Sequence, residues 1–122
     1  MGIFRRLIRS VGYAIEGVVY TFFTQRNARV EACIGVLVIT VAAWLRVSGV
    51  EWAILLLTIG SVLAAETMNT AVERMTDLLS PEKHQSAKHA KDAAAGAVLI
   101  LSITAAVIGA IILGPRLLTR FN

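Results

Sequence analysis

Residues Ala93 to Pro115 form an unbroken run of 23 positions without a charged side chain. As a helix rising about 1.5 Å per residue, this run crosses a hydrocarbon core about 30 Å thick. A water-facing domain of 122 residues has little interior in which to hide such a segment. The rest of the chain adds to the problem: 57% of its residues are hydrophobic, only 16% are charged, and the mean hydropathy is +0.71. An ordinary soluble domain carries about 25% charged residues. The same balance excludes a disordered chain, and the length excludes more than one domain. A lone cysteine, Cys33, excludes an internal disulfide framework and a cysteine-only zinc site. The expectation is a single all-α membrane domain over residues 1–122.

Two more spans follow less directly. Ala32–Leu45 and Trp52–Ala65 are uncharged for 14 residues each. The first must extend back through Val30 and Glu31 and on to Val47; the second must run on through Glu66. Ser48-Gly49 offers a tight turn between them. Transmembrane helices are therefore predicted at 29–48, 51–75 and 89–114. Residues 1–25 differ. Phe4, Leu7, Ile8, Val11, Ile15, Val18, Val19 and Phe22 recur at helical spacing, while Arg5, Arg9, Gly12, Glu16 and Tyr20 hold the other side. That pattern predicts an amphipathic helix lying on the membrane surface. No uninterrupted apolar stretch with a cleavage site follows the basic start, so the segment does not read as a signal peptide.

Charge sets the orientation. Segment 1–29 holds Arg5, Arg6, Arg9, Arg26 and Arg29, and segment 74–92 holds Arg74, Lys83, Lys88 and Lys91. Only Arg46, Arg116 and Arg120 fall on the other side. This asymmetry places the N-terminus and the 74–92 loop in the cytoplasm and the C-terminus outside. The net charge of +4 suits anionic lipid. Without a soluble basic domain, nucleic acid is not an expected partner.

The chemistry concentrates in the second span. Glu66, Asn69, Glu73 and Asp77 stand at offsets 0, 3, 7 and 11, which at about 100° per residue share one helix face. Acids at membrane depth are costly and point to function by default; stapling of helices or snorkelling is the alternative. Glu66 lies about 22 Å in from Glu51, and Glu73 about 33 Å, at the cytoplasmic edge. One face thus runs from lipid to water. An acid in lipid can take a proton from a lipid hydroxyl, and an acid in water can hold Mg²⁺. Ser80-Pro81 reads as N-cap and first residue of a new helix, or as a turn. Lys88 and Lys91 beyond it suit phosphates or plain positive-inside anchoring. His84 and His89 lack i, i+4 spacing, so no zinc pair is expected. Neither GxxxxGK[ST] nor GxGxxG occurs, so an ATP site would be built from helices and a surface loop. A small proton- or cation-coupled transporter using the Glu66 face is the competing reading, and a non-catalytic scaffold is the weaker third.

The block Glu66-Thr67-Met68-Asn69-Thr70-Ala71-Val72-Glu73-Arg74-Met75-Thr76-Asp77 resembles the pattern E-x-x-N-[ST]-A-[IV]-E-x-x-x-D of the prokaryotic integral-membrane diacylglycerol kinase and undecaprenol kinase family. His84 to Asp92, with the small residues Ala93 and Ala94 after it, is similar to a second family block. Gly12-Tyr13, Arg26-Asn27-Ala28-Arg29 and Trp44 also look like family features. The resemblance implies a homotrimer of three-span subunits with a surface helix, set in the inner (plasma) membrane of a prokaryote, and active sites shared between neighbouring subunits. It implies transfer of the ATP γ-phosphate to a lipid alcohol, diacylglycerol or undecaprenol, with a lean to the latter. Carried over, Glu66 is the general base and touches the lipid, as does Trp44. Glu73 holds Mg²⁺; Asn69 and Asp77 support the site. Arg6, Tyr13, Gln25, Glu73, Glu82, Lys83, His84, Lys91 and Asp92 line the ATP site. One position departs: the second metal ligand of the family is usually a Glu, and Gln25 stands there. Its amide still offers an oxygen, and Glu16 or Glu31 are reserves.

Overall fold

The computed structural model describes residues 2–82 and 84–122. Four helices follow one another: α1 (Gly2–Thr24), α2 (Arg26–Leu45), α3 (Gly49–Leu79) and α4 (Gln85–Phe121). The last three are long and apolar enough to cross a membrane. The chain is therefore all-helical and multi-pass, as the apolar runs require. At about 1.5 Å per residue, α3 with 31 residues is about 46 Å long and α4 with 37 about 55 Å. Both outreach a core about 30 Å thick, so polar residues at their ends stand in water.

The junctions show why the helices stop where they do. One extended residue, Gln25, separates α1 from α2. Arg29 reaches back from α2 and donates to the carbonyls of Phe22 at 2.6 Å and Phe23 at 3.2 Å, satisfying acceptors that the end of α1 leaves free. At the end of α2 the backbone of Arg46 turns left-handed, with φ 53°. The Arg46 N–H donates to Ala43 at 3.3 Å and the Val47 N–H to Ala42 at 3.2 Å, the pairing of a Schellman cap. The turn therefore precedes the expected Ser48-Gly49. Ser48 instead caps α3: its Oγ accepts from the Glu51 N–H at 3.2 Å, and the Glu51 carboxylate accepts from the Ser48 N–H at 3.1 Å. This reciprocal pair satisfies two orphan donors.

Two boundaries depart from expectation. Ser80-Pro81 does not start a helix. The Ser80 N–H still bonds Thr76 at 2.9 Å in the last turn of α3, and its hydroxyl donates to the Glu82 carbonyl at 2.8 Å. The turn alternative holds, and His84 is the cap of α4, its Nδ1 accepting from the Ser86 N–H at 3.2 Å. At the other end α4 passes the expected stop at 114 and continues through Pro115. Proline removes one helical hydrogen bond, and just beyond it Arg116 is fastened to Glu51 of α3, Nε to Oε2 at 3.1 Å. The Thr119 hydroxyl also donates to the Pro115 carbonyl at 2.6 Å.

Packing is uneven. α3 lies chiefly along α4, and α2 closes on α3 where Gly35 leaves room: a Cβ there would stand 3.1 Å from Ile59 Cγ2. The apolar core gathers Ala42, Val47, Leu55 and Leu113 near the Arg46 turn. Elsewhere Val36, Leu57, Ile100 and Ile111 remain exposed, as side chains facing lipid or another subunit do.

Candidate active site

The face expected on the second span exists. Glu66, Asn69, Glu73 and Asp77 all lie on the continuous α3 helix. Glu66 is only 2% exposed, Asn69 only 7%. Among the described residues no side chain donates to the Glu66 carboxylate; the charged groups close enough to act on it are Glu31 and Glu73. Glu66 is thus buried with Glu31 and Glu73 as like-charged neighbours, an arrangement that burial and like charge both make costly. Packing does not need it, and such costs collect at functional sites.

Glu73 is held from two sides. The Gln25 amide donates to its Oε2 at 2.7 Å, and the Asn69 amide to its Oε1 at 3.3 Å. Gln25 reaches it because the single-residue hinge after α1 sits against α3. The Asn69 Oδ1 is buried without a hydrogen-bond partner among the described residues. A carboxylate, an unpaired amide oxygen and a second amide form an all-oxygen donor set once Gln25 presents its oxygen. That chemistry fits Mg²⁺, which commonly takes one or two carboxylates beside substrate phosphates.

One turn further, Asp77 pairs with Lys91 of α4, and Lys88 pairs with Asp92 at 2.6 Å. These residues line an open cavity of about 550 Å³ together with Glu82 and His84. Both ion pairs are largely exposed, and exposed pairs contribute only about 0–1 kcal/mol. Lys91 can therefore leave Asp77 for a phosphate at little cost. Lys83 lies outside the described residues.

Other expected site residues stand apart. Arg6 and Tyr13 are exposed on α1, with no side-chain bond to the site among the described residues. Trp44 stands at the opposite end of α2 from Gln25, where its ring meets Phe121 at 6.0 Å and the Arg120 guanidinium at 4.9 Å. In contrast, Glu31 enters the site more firmly than its sequence position suggests. Its Oε1 accepts from Ser102 of α4 at 2.9 Å, and its Oε2 is buried without a partner among the described residues. It also borders an apolar groove of about 360 Å³ walled by Gly35, Leu55 and Val62. The signal for Glu31 was its charge inside a membrane span, which reads equally as the polar flank of that span.

The family model for prokaryotic diacylglycerol kinase matches residues 12–113. The chain is 45% identical to a diacylglycerol kinase of Synechocystis over 93% of its own length and 65% of that protein's. It is 37% identical to the undecaprenol kinase of Bacillus subtilis, covering 92% of this chain and 91% of the relative. With the diacylglycerol kinase of Escherichia coli K12 it shares 30% identity, over 90% of each. The chain spans just under two thirds of the Synechocystis protein and nearly all of the other two. Matched along most of its length and carrying the acidic α3 face, the chain belongs to the prokaryotic diacylglycerol kinase family.

Proposed function

We propose that this protein is a membrane kinase that transfers the γ-phosphate of ATP to the hydroxyl of a lipid alcohol. The observation that carries the reading is the α3 face itself. Glu66 is buried at apolar depth, and about 10 Å further along the same helix Glu73 leads to the charged cavity of Asp77, Lys91 and Asp92. A lipid hydroxyl and a water-soluble phosphate donor meet between them. The relatives' names, diacylglycerol kinase and undecaprenol kinase, support the same class.

In this mechanism Glu66 is the general base. It takes the proton of the lipid hydroxyl as that oxygen attacks the γ-phosphorus in line; the bond from phosphorus to the bridging oxygen breaks and ADP leaves. Asn69 and Gln25 hold Glu73, and Asp77 presents Lys91 to the phosphates. Glu82, His84 and Asp92 border the nucleotide, and Arg6 and Tyr13 close over it from α1. Glu73, with the amide oxygens of Gln25 and Asn69, would hold Mg²⁺, which neutralises phosphate charge when bound. α1 lies on the cytoplasmic surface of the inner membrane, the α3–α4 loop faces the cytoplasm, Trp44 contacts lipid, and three copies assemble around shared sites. Undecaprenol is favoured over diacylglycerol by the Arg26-Asn27-Ala28-Arg29 segment.

Purified protein in bilayers, given radiolabelled ATP, Mg²⁺ and either undecaprenol or diacylglycerol, should label the lipid, undecaprenol faster. Ion flux without labelled lipid would instead establish the transporter reading.

A further inference from the structure

Arg74 follows Glu73 on α3, and its guanidinium lies 5.3 Å from the ring centroid of Tyr20 on α1. Two consecutive residues of α3 therefore grip the end of α1: Glu73 through Gln25 and Arg74 through Tyr20. Upstream of Tyr20, no hydrogen bond, ion pair or aromatic contact among the described residues ties α1 to another helix. Arg29 fixes the hinge to α2, and near it Thr21 is buried while Val18 and Phe22 face Gly60 and Leu63 of α3 across a small cavity; the directional contacts on α1 end at Tyr20.

Tyr20 also occupies a telling register. Arg6, Tyr13 and Tyr20 recur every seven residues, and a seven-residue step drifts only about 20° around a straight helix. All three share one stripe of α1. The residue that Arg74 clasps is the base of the stripe whose upper members are assigned to the nucleotide. A clasp there fixes both the roll of α1 about its axis and its tilt. From Tyr20 to Arg6 is about 21 Å along the helix, so a tilt of about 10° at the base displaces Arg6 by about 4 Å, more than a hydrogen bond tolerates.

We infer that the Arg74–Tyr20 cation–π contact is a positioning clasp that aims the Arg6–Tyr13 stripe of α1 at the nucleotide, an assignment that rests on the kinase reading above. Neither residue touches the reacting atoms. Arg74 and Tyr20 act through Arg6 and Tyr13, so their effect falls on nucleotide affinity rather than on the chemical step.

The test uses full-length protein in bilayers with Cys33→Ser, and with Ser10→Cys and Leu78→Cys carrying spin labels, diluted with unlabelled chain. Tyr20→Leu should broaden the α1–α3 distance distribution and raise the KM for ATP about two- to fivefold, the range an exposed cation–π contact supports, with kcat held. Tyr20→Phe keeps the ring face and should match the unsubstituted protein in both readouts. Arg74→Gln should reproduce Tyr20→Leu, and the double variant should be no worse than either. Unchanged distances and KM in Tyr20→Leu overturn the clasp, as does a Tyr20→Phe variant as impaired as Tyr20→Leu. The distances are read without turnover. A protein that labels no lipid yet shows the expected broadening retains the clasp and loses the kinase reading.

Discussion

At Glu66 the interests of folding and of chemistry oppose each other. The carboxylate is buried beside Glu31 and Glu73, with no donor to offset its charge among the described residues. Removing the charge should relieve the fold while ending the reaction. Glu66→Gln is expected to cut lipid phosphorylation by about 10²–10⁴, the contribution of a positioned base. The same variant should melt higher than the parent, each kcal/mol gained moving Tm by roughly 4 °C. Activity assays and thermal unfolding on one preparation decide the matter; lost activity with a lowered Tm would mean that Glu66 serves structure. Gln25 offers the converse change. Gln25→Glu replaces an amide that donates to Glu73 with a second carboxylate. Two acids there need a cation between them, so half-maximal activity should come at several-fold lower Mg²⁺, read from a Mg²⁺ titration, and the metal-free protein should lose stability.

At the scale of elements, the α3 face was legible because helical periodicity alone aligns Glu66, Asn69, Glu73 and Asp77. The partners they meet were not. Gln25 reaches Glu73 across 48 residues of chain, and Glu31 meets Ser102 across 71; only the packing of whole helices brings such positions together. Ser80-Pro81 misled for a different reason. The pair has the composition of a helix start, but α3 extends far enough that Ser80 is consumed closing it, and the cap falls to His84. The end of α2 held a local surprise as well, since Arg46 fills a left-handed position that glycine favours. An L-residue there costs about 1–2 kcal/mol relative to glycine's freedom. Arg46→Gly should therefore raise stability by about 1 kcal/mol, seen as a higher Tm in detergent with lipid phosphorylation unchanged, because the turn lies at the far end of α2 from the site.

Across the whole molecule, the apolar core and the polar site occupy opposite ends of the same helices. Leu55, 2% exposed, packs with Ala42, Val47 and Leu113 beside the turn from α2 to α3. Close by, Glu51 completes the capping box with Ser48 and clamps Arg116 of α4. The other end of α3 is joined to α4 by the exposed Asp77–Lys91 ion pair beside an open cavity. On the proposed mechanism, this division would let the Glu73–Lys91 end exchange partners during turnover while the Leu55 end holds the helices in register. It predicts that stability and catalysis can be changed separately. Leu55→Ala should cost about 2–5 kcal/mol, the usual range for emptying a filled core position, and lower the unfolding temperature in detergent accordingly. Its KM for ATP and its kcat, measured well below that temperature, should stay near those of the parent, because the side chains packed on the Leu55 cluster, among them Val38, Trp52 and Ile112, lie outside the α3–α4 cavity. A Leu55→Ala protein that stays folded but loses turnover would show that the two ends are coupled through α3, and that the core does more than hold the helices together.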